Sequence, residues 1–343
     1  MNAPIRTRMF IEAEDAPAVV ARQIAANGPA MEELGWRLRE LSPRAVATIA
    51  RGSSDNAATY VRYLIETKLG VLTSSIAPSV SSVYSAKTDL TGAVVLAISQ
   101  SGKSPDLLAA LDAAKRAGAF TIAFVNAENT PMAELADAVV PLHAGAELSV
   151  AATKSFIAAN TALAHLVAAW HQDDELLAAL NALPVQLASA WQLDWSVAAA
   201  RLKSARDLYV IGRGVGFGAA QEAALKLKET CGLHAEAFSA AEVMHGPMAL
   251  VKDGFPVLLF SQDDETRAGI VDLTGRFVAN KADILLAGFD HPGASVLPTA
   301  KAHPVLEPIL YIESFYRMAE SLSRARGLDP DAPPHLRKVT ETI

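Results

Sequence analysis

The stretch Val94-Val95-Leu96-Ala97-Ile98-Ser99-Gln100-Ser101-Gly102-Lys103-Ser104-Pro105-Asp106 joins an apolar run to a loop rich in hydroxyl groups. The apolar residues predict a buried parallel strand, and residues 107–116 have the spacing of a helix. Ser104 is placed to cap that helix, and Pro105 suits its first turn because a missing N–H needs no partner there. Free amides at a helix N-terminus, together with serine hydroxyls, suit a phosphate or another small anion. An ordinary capped turn is the alternative.

The composition is that of a soluble globular protein rather than a disordered chain. The 343 residues are 51% hydrophobic and 20% charged, with a formal net charge of −7. This length favours two domains, and an acidic chain without a cluster of Lys and Arg argues against nucleic acid or an anionic membrane as a partner. No apolar run reaches the roughly 20 residues of a membrane span, and no signal-peptide pattern follows Met1.

Cysteine is nearly absent from the chain, which limits the redox and metal chemistry to be expected. The single Cys231 excludes an internal disulfide and a cysteine-based metal site, and it is expected to be a small buried hydrophobic residue. We therefore expect a reducing compartment, the cytoplasm, and a site with no metal and no cofactor.

A repeat with an offset of 162 residues runs through the chain. Ile49-Ala50-Arg51-Gly52 is matched by Ile211-Gly212-Arg213-Gly214, and Ser99-Gln100 by Ser261-Gln262. A long repeat predicts two similar domains of the α/β class, each a doubly wound parallel sheet between helical layers, an α/β/α sandwich. The expected organisation is a helical segment over 1–27, a first domain over 28–175, a second over 195–333 and a tail over 334–343.

Glycine and proline predict where the elements begin and end. Gly28-Pro29 predicts a break between two helices within residues 15–40, and Pro184 predicts a domain junction near 183–194. A strand over 45–50, a tight loop over 51–56 and a helix over 57–69 would open the first βαβ unit.

The two copies differ in the loop that follows their second long strand. The first copy has Ser101-Gly102-Lys103-Ser104, whereas the second has Asp263-Asp264-Glu265-Thr266. Three carboxylates would repel a phosphate, so only the first domain is expected to bind an anion.

The second copy adds titratable groups of its own. Glu222, Lys226 and Glu229 follow one another at i, i+4 and i+7 of a predicted helix and share one face. Spacing alone favours a solvated face with a salt bridge. In a closed pocket, Lys226 could instead keep one carboxylate charged while another acts as a base. His245, in a Gly-Pro loop, is an acid–base candidate that could equally be structural, and Lys338, in a proline-led tail, is expected to be solvated.

Together these motifs resemble the sugar isomerase (SIS) family, in the double-SIS arrangement of the isomerase half of glucosamine-6-phosphate synthase. The resemblance covers nearly the whole chain and implies a flavodoxin-like fold for each domain. It rests on Ser-Gln-Ser-Gly at 99–102, Ala-Ala-Thr-Lys at 151–154, Ala-Leu-Lys-Leu-Lys-Glu at 224–229, His-Ala-Glu-Ala at 234–237 and His-Gly-Pro at 245–247. It implies a phosphosugar substrate whose phosphate is bound by Ser54, Ser99, Gln100, Ser101 and Ser104.

The resemblance also implies roles for the titratable groups. Glu229 would move a proton between C1 and C2 of the sugar, supported by Glu222 and Lys226. His245 would assist ring opening from the partner subunit, which implies a homodimer with a shared active site. Lys338, in the C-terminal tail, would form a Schiff base with a ketose.

Departures from the synthase pattern indicate the specific activity. Arg51, Lys103 and Ala152 stand where the synthase has cysteine, glutamate and serine, so the sugar contacts differ from the synthase pattern; the further contact candidates are Arg51, Gly52, Ser53 and Ala152. No glutaminase segment with its N-terminal cysteine is recognisable, so glutamine is not expected as the ammonia source. The loops at 51–54 and 101–106 and the tail are similar to SIS-type glucosamine-6-phosphate deaminases.

The expected activity is therefore an isomerising deamination of glucosamine 6-phosphate to fructose 6-phosphate and ammonia. One alternative is an aminotransferase-isomerase without a glutaminase part, or a fructosamine-6-phosphate deglycase. Another is a non-catalytic sugar-phosphate sensor, although residues 1–44 contain no basic recognition helix.

Overall fold

The computed structural model describes residues 6–127 and 129–338, which contain two parallel five-stranded sheets. Each sheet belongs to its own compact unit. The first unit comprises Ala18–Glu147, Lys154–Ala182 and Arg337–Ile343, and the second comprises Met1–Pro17, Leu148–Thr153 and Leu183–Leu336. The predicted fold class, two doubly wound parallel sheets of the α/β type, is confirmed.

The first unit is built around the sheet that contains the quoted strand. The chain begins with α1 (Arg8–Glu14), which belongs to the second unit, and α2 (Ala16–Leu41). The strands are β1 (Ala45–Ile49), β2 (Thr73–Ser75), β3 (Ala93–Ser99), β4 (Phe120–Val125) and β5 (Ala138–Pro141), in the order β2-β1-β3-β4-β5. The helices that follow are α3 (Ser53–Leu69), α4 (Ser79–Ser82), α5 (Pro105–Arg116), α6 (Pro131–Leu135), α7 (Lys154–His171) and α8 (Asp174–Trp191), of which α8 belongs to the second unit from Leu183 onward. All residues of β3 are buried, as expected of a central parallel strand.

The strand order places a ligand crevice at the ends of β1 and β3. β1 pairs in parallel with β2 on one side and with β3 on the other. The chain leaves β1 through α3 towards β2 and leaves β3 through α5 towards β4, so the two connections diverge. Open α/β sheets bind ligands at such a switch point, outside the carboxyl ends of the strands.

The second unit has the same plan. Its elements are α9 (Ser196–Leu202), β6 (Asp207–Gly212), α10 (Gly216–Cys231), β7 (His234–Ser239), two short 3₁₀ helices (Glu242–Met244 and Pro247–Leu250), β8 (Pro256–Phe260), α11 (Arg267–Ala279), β9 (Asp283–Ala287), β10 (Ser295–Leu297) and α12 (Glu307–Ala325). The sheet order is β10-β9-β8-β6-β7, which puts the corresponding switch point between β6 and β8.

Three predictions about element ends are wrong. α2 continues through Pro29 as one helix, because Val20 before the proline and Met31 and Leu38 after it all pack into the core, which offsets the local cost. Pro184 likewise lies inside α8 and does not end that helix, although the two units divide beside it, between Ala182 and Leu183. α3 begins at Ser53 rather than Ala57, since the left-handed Gly52 turns the chain directly at the end of β1.

The longest apolar run is a core helix. Residues 156–170 lie in α7 and are almost wholly buried, as expected of a helix that is apolar on all sides. Within the described residues, no single helix has the length and apolar character needed to cross a membrane, and α8 and α9 meet that criterion only when taken together across a bend.

Candidate active site

The turn after β3 is fixed from within by a serine and a glycine. The Ser99 hydroxyl is buried and accepts a hydrogen bond from the Gly102 amide at 3.0 Å. Gly102 has φ +62°, and a Cβ there would lie 2.5 Å from the Thr130 Oγ1 atom. Only glycine fits this position without displacing its neighbour, so the loop has one defined backbone path.

The other polar residues of this loop are less buried than Ser99 and lie at the start of α5. Gln100, Ser101 and Ser104 are partly buried, and Lys103 is exposed. Ser104 occupies the cap position with extended backbone, as predicted, but among the described residues its hydroxyl makes no capping hydrogen bond. The predicted side-chain cap is therefore wrong. A hydroxyl that makes no bond to its own helix, beside the positive end of the helix dipole, is a better anion ligand than one already bonded to the helix.

The neighbouring turn after β1 adds a cation to the same edge of the sheet. The Arg51 guanidinium contacts the Asp106 Oδ2 atom through Nε at 3.1 Å and through a terminal nitrogen at 3.0 Å. The Asp106 side chain is buried in the first turn of α5, whereas that of Arg51 is half exposed. Gly52 follows directly as the residue before α3, and Ser53 and Ser54 lie in the first turn of that helix. Both predicted loops, with their hydroxyls and one arginine, thus lie at the switch point.

Lys338 contacts a buried carboxylate in the first unit. Glu147 lies between β5 and α7, and its side chain is fully buried. Its Oε2 atom accepts hydrogen bonds from the Ser155 hydroxyl at 2.6 Å and from Lys338 Nζ at 3.1 Å, and its Oε1 atom accepts one from the Ser155 amide at 3.1 Å. The expected solvated lysine is therefore ion-paired and only about one quarter exposed. Sequence reasoning missed Glu147, which belongs to none of the quoted motifs.

In the second unit, the charged face of α10 is buried. Lys226 Nζ lies 2.5 Å from Glu229 Oε2 and 3.5 Å from Glu222 Oε1, and the Tyr316 hydroxyl donates to the same Glu222 oxygen at 3.0 Å. Glu222 and Lys226 are buried, because α12 packs over this face. The solvated face that spacing alone favoured is wrong, and the alternative of a lysine between two carboxylates inside the protein is correct.

Glu229 is the member of this cluster that reaches a cavity. Its side chain is 21% exposed and lines a pocket of about 380 Å³ in the second unit. The wall is mainly apolar and includes Leu225, Leu328, Pro334 and Leu336. An apolar wall strengthens the electrostatic interactions of a carboxylate with its lysine partner and with a ligand.

Three predicted residues lie apart from these groups. His245 is exposed at the end of the first 3₁₀ helix, and among the described residues it is not part of the lining of the Glu229 pocket. Ala152 is partly buried in the segment before α7. Cys231 is buried, as predicted, and burial raises the pKa of its thiol to about 11. Within the described residues, no three His, Cys, Asp or Glu side chains are arranged to hold a metal ion.

The loop after β8 contains its own anion. Asp264 Oδ2 accepts a hydrogen bond from Gln262 Nε2 at 2.8 Å, and Asp264 Oδ1 accepts from the Thr266 amide at 2.9 Å and from the Thr266 hydroxyl. The adjacent Asp263 carboxylate pairs with Arg267 at 2.6 Å. Amide and hydroxyl donors at this switch point therefore bind a carboxylate from the same loop.

Known proteins match nearly the whole chain. The model of the SIS domain family matches residues 42–169 and 201–295. Glutamine–fructose-6-phosphate aminotransferase (isomerizing) of Zymomonas mobilis is 31% identical, over 96% of this chain and 58% of that protein. The chain spans about half the length of the curated relatives it matches.

Solved structures show the same fold. A protein of Silicibacter pomeroyi DSS-3, provisionally named a phosphosugar isomerase, is 41% identical with a TM-score of 0.91, and the match covers 95% of this chain and 100% of that one. Glucosamine-6-phosphate deaminase of Thermotoga maritima has a TM-score of 0.79 at 20% identity, covering 98% and 100%, which shows likeness of fold alone. With two matched segments that together include more than half of its residues, the chain belongs to the SIS domain family.

Proposed function

We propose that this chain is an aldose–ketose isomerase for amino-sugar 6-phosphates, acting as a glucosamine-6-phosphate deaminase that yields fructose 6-phosphate and ammonia. The observation that carries the proposal is the buried Glu222-Lys226-Glu229 cluster, of which Glu229 reaches a pocket. A carboxylate with a fixed cationic partner at a cavity is suited to move a proton. The names of the isomerising relative and of the deaminase neighbour support this substrate class.

In this proposal the first unit holds the phosphate. The hydroxyls of Ser54, Ser99, Ser101 and Ser104, the Gln100 side chain and the N-terminal amides of α5 supply the donors. Arg51, which Asp106 holds at the same edge, adds positive charge. Binding a phosphate remote from the reacting carbons converts binding energy into orientation of the open-chain sugar.

Glu229 then moves the proton that isomerises the substrate. It takes the proton from C2 and returns one to C1, while the amino nitrogen loses a proton and O1 gains one. The aldose with an amino group at C2 becomes a ketimine, and atoms and charges balance. Lys226 keeps a positive charge within 2.5 Å of the working carboxylate, and Glu222 shares that charge from the buried side.

Release of ammonia is assigned to Lys338. The Lys338 ammonium gives one proton to the ketimine nitrogen, and the resulting neutral amine attacks C2 to form the Nζ–C2 bond. A second proton then passes from Nζ to the original nitrogen, which leaves as ammonia and gives a protonated Schiff base. Water then hydrolyses the new Schiff base to fructose 6-phosphate and the free lysine. We further propose a cytoplasmic homodimer in which His245 assists ring opening from the second copy, with no metal or cofactor required.

The proposal is tested by product analysis. The protein is incubated with glucosamine, galactosamine and mannosamine 6-phosphates and with unphosphorylated glucosamine, and ammonia and ketose phosphate are measured together. We expect equal amounts of ammonia and fructose 6-phosphate from glucosamine 6-phosphate and none from the free sugar. Ammonia without ketose phosphate, or binding of every sugar phosphate without turnover, would refute deamination.

The aminotransferase name of the relatives favours one second candidate, synthesis in the opposite direction from fructose 6-phosphate and free ammonia. The same assay run with fructose 6-phosphate and ammonium salts measures it. Fructosamine 6-phosphate as substrate distinguishes a deglycase, which would release the amine from the ketose. Phosphosugar binding with no product from any of these substrates would instead indicate a sensor.

A further inference from the structure

We propose that Glu147 is the positioning residue for Lys338, and that it holds the amine at the carboxyl edge of the first sheet before substrate arrives. This inference rests on the proposed function, because it concerns the amine assigned to attack C2. The observation behind it is the contact between Glu147 Oε2 and Lys338 Nζ at 3.1 Å, across 191 positions of sequence.

Glu147 is itself held rigidly. Its side chain is fully buried, and Ser155 binds both carboxylate oxygens, one through its amide and the other through its hydroxyl. Ser155 is the second residue of α7, so the helix dipole also favours a carboxylate at this place. A buried carboxylate that accepts hydrogen bonds on both oxygens has one orientation, and the ammonium bonded to its Oε2 atom is confined in turn.

The Glu147–Lys338 pair lies at the edge of the sheet where the substrate is proposed to bind. Glu147 lies in the connection from β5 to α7, and therefore at the same edge of the sheet as the loops that follow β1 and β3. These loops carry the hydroxyls and the arginine proposed to hold the phosphate. A lysine in a tail segment is otherwise free to sample many rotamers. Because Glu147 fixes the Nζ atom at this edge, the lysine need not lose that rotamer freedom when it reacts.

Charge supports the same arrangement. Glu147 Oε2 receives both the ammonium and the Ser155 hydroxyl, so the carboxylate is not committed to Lys338 alone. When Lys338 gives its proton to the ketimine nitrogen and bonds to the sugar, the Ser155 hydroxyl and amide still donate to Glu147, so both oxygens of the buried carboxylate keep a hydrogen-bond donor. The anchor can therefore stay in place while its partner reacts.

A merely structural ion pair that ties down the tail would show the same contact, so the test must follow the reactivity of the amine. The protein is mixed with fructose 6-phosphate and borohydride, which reduces a Schiff base to a stable secondary amine, and the fraction of modified Lys338 is measured by peptide mass spectrometry. Inorganic phosphate binding to the same samples reports whether the first unit is folded and its anion loop intact.

We expect E147Q to lower the trapped fraction and kcat by roughly tenfold to a hundredfold, with KM and phosphate affinity close to wild type. S155A, which removes one anchor of the carboxylate, should lie between E147Q and wild type. D173N is the matched control, because Asp173 pairs with Lys68 at 2.9 Å elsewhere in the first unit and should leave trapping unchanged.

The outcomes separate this inference from the proposed function. Wild-type trapping at Lys338 with an equal yield in E147Q and S155A would overturn the positioning role alone. Absence of trapping at Lys338 in the wild-type protein would overturn the Schiff-base step and this inference with it. If E147Q fails to bind phosphate, S155A decides, since an unchanged yield in that variant would also overturn the role.

Discussion

The two switch points of this chain have the same strand arrangement, but their loops differ in charge. After β3, Gln100, Ser101 and Ser104 are partly exposed at the start of α5, and among the described residues the Ser104 hydroxyl makes no capping bond. After β8, the corresponding donors of Gln262 and Thr266 bind the Asp264 carboxylate. The same fold thus carries two loops that differ in the partner of their donors, because the second loop supplies its own carboxylate and the first does not.

The helices that follow β1 and β6 differ in the buried side chains that they carry. At the repeat offset, Tyr60 and Leu64 of α3 correspond to Glu222 and Lys226 of α10, and all four side chains are buried. One helix buries an aromatic and an aliphatic residue where the other buries a charged pair. Burying charges costs stability unless they are paired, so their presence in the second unit indicates a task beyond packing.

The strongest test of this division replaces the proposed base. E229Q keeps the size of the side chain and removes its ability to accept a proton, so turnover should fall by about 10²- to 10⁴-fold. Phosphate affinity should not change, because the anion loop belongs to the other unit. Steady-state kinetics and calorimetric titration with inorganic phosphate measure both, and E33Q, at an exposed glutamate of α2, serves as control. Loss of phosphate binding in E229Q would contradict the division.

A second test gives α10 the residue that α3 has. K226L leaves Glu222 and Glu229 without their shared cation, and breaking a buried pair costs about 3–5 kcal/mol of the free energy of unfolding. Urea denaturation measures that loss. K228L, two residues along the same helix at an exposed position, should differ little from wild type. Equal stability of both variants would mean that pairing with Lys226 does not stabilise the two buried carboxylates.

How far the sequence predicts these features depends on the range of the interaction. The strand, turn and helix around Gly102 follow from local patterns, and the repeat predicts the paired sheets. Periodicity also shows that Glu222, Lys226 and Glu229 share a face. It does not show what covers that face, since α12 lies about 80 residues further along the chain. The pairing of Glu147 with Lys338 is more distant still and has no periodic signal.

A third test concerns α7 and α12, which carry the same dipeptide, Ser155-Phe156 and Ser314-Phe315, after a small shift from the offset of 162. The residues before them are Lys154 and Glu313, both buried. Among the described residues, neither Glu313 carboxyl oxygen has a hydrogen-bond partner, and burial raises the pKa of this group well above its usual range. The folded chain therefore retains a proton that the unfolded chain releases once the pH exceeds about 4.3, the ordinary value for glutamate.

Stability should accordingly fall as the pH rises above that value, up to the raised pKa of the folded state. The limiting slope for one such group is about 1.4 kcal/mol per pH unit. E313M removes the titration with little change of volume, so its advantage over wild type should grow between pH 5 and pH 8. Denaturation midpoints at a series of pH values measure this. An advantage that is constant with pH would show that Glu313 is ionised in the folded state.

A fourth test alters the first loop without touching a hydroxyl. G102A places a Cβ 2.5 Å from Thr130 Oγ1 at a positive φ, and we expect phosphate affinity to fall at least about tenfold as the loop shifts. G70A is the matched control, because Gly70 has φ +67° with nothing within 4 Å of its Cβ position. Both variants bear the backbone strain, and only G102A displaces a neighbour. An equal phosphate affinity in the two would show that the turn does not shape the anion site.

The smallest effect is expected at the second loop, and it tests the idea that Asp264 stands in for a ligand. D264A leaves the Thr266 amide and hydroxyl and the Gln262 amide without the carboxylate that they bind, at a cost of about 1 kcal/mol of unfolding free energy. Formate, the smallest carboxylate, should recover part of that loss in D264A and have no such effect on the wild-type protein, whose loop is already filled. Thermal unfolding with increasing formate measures the difference. If formate shifts the unfolding temperature of both proteins equally, the donors of the second loop do not form an anion site. The second loop would then resemble the first only in its backbone.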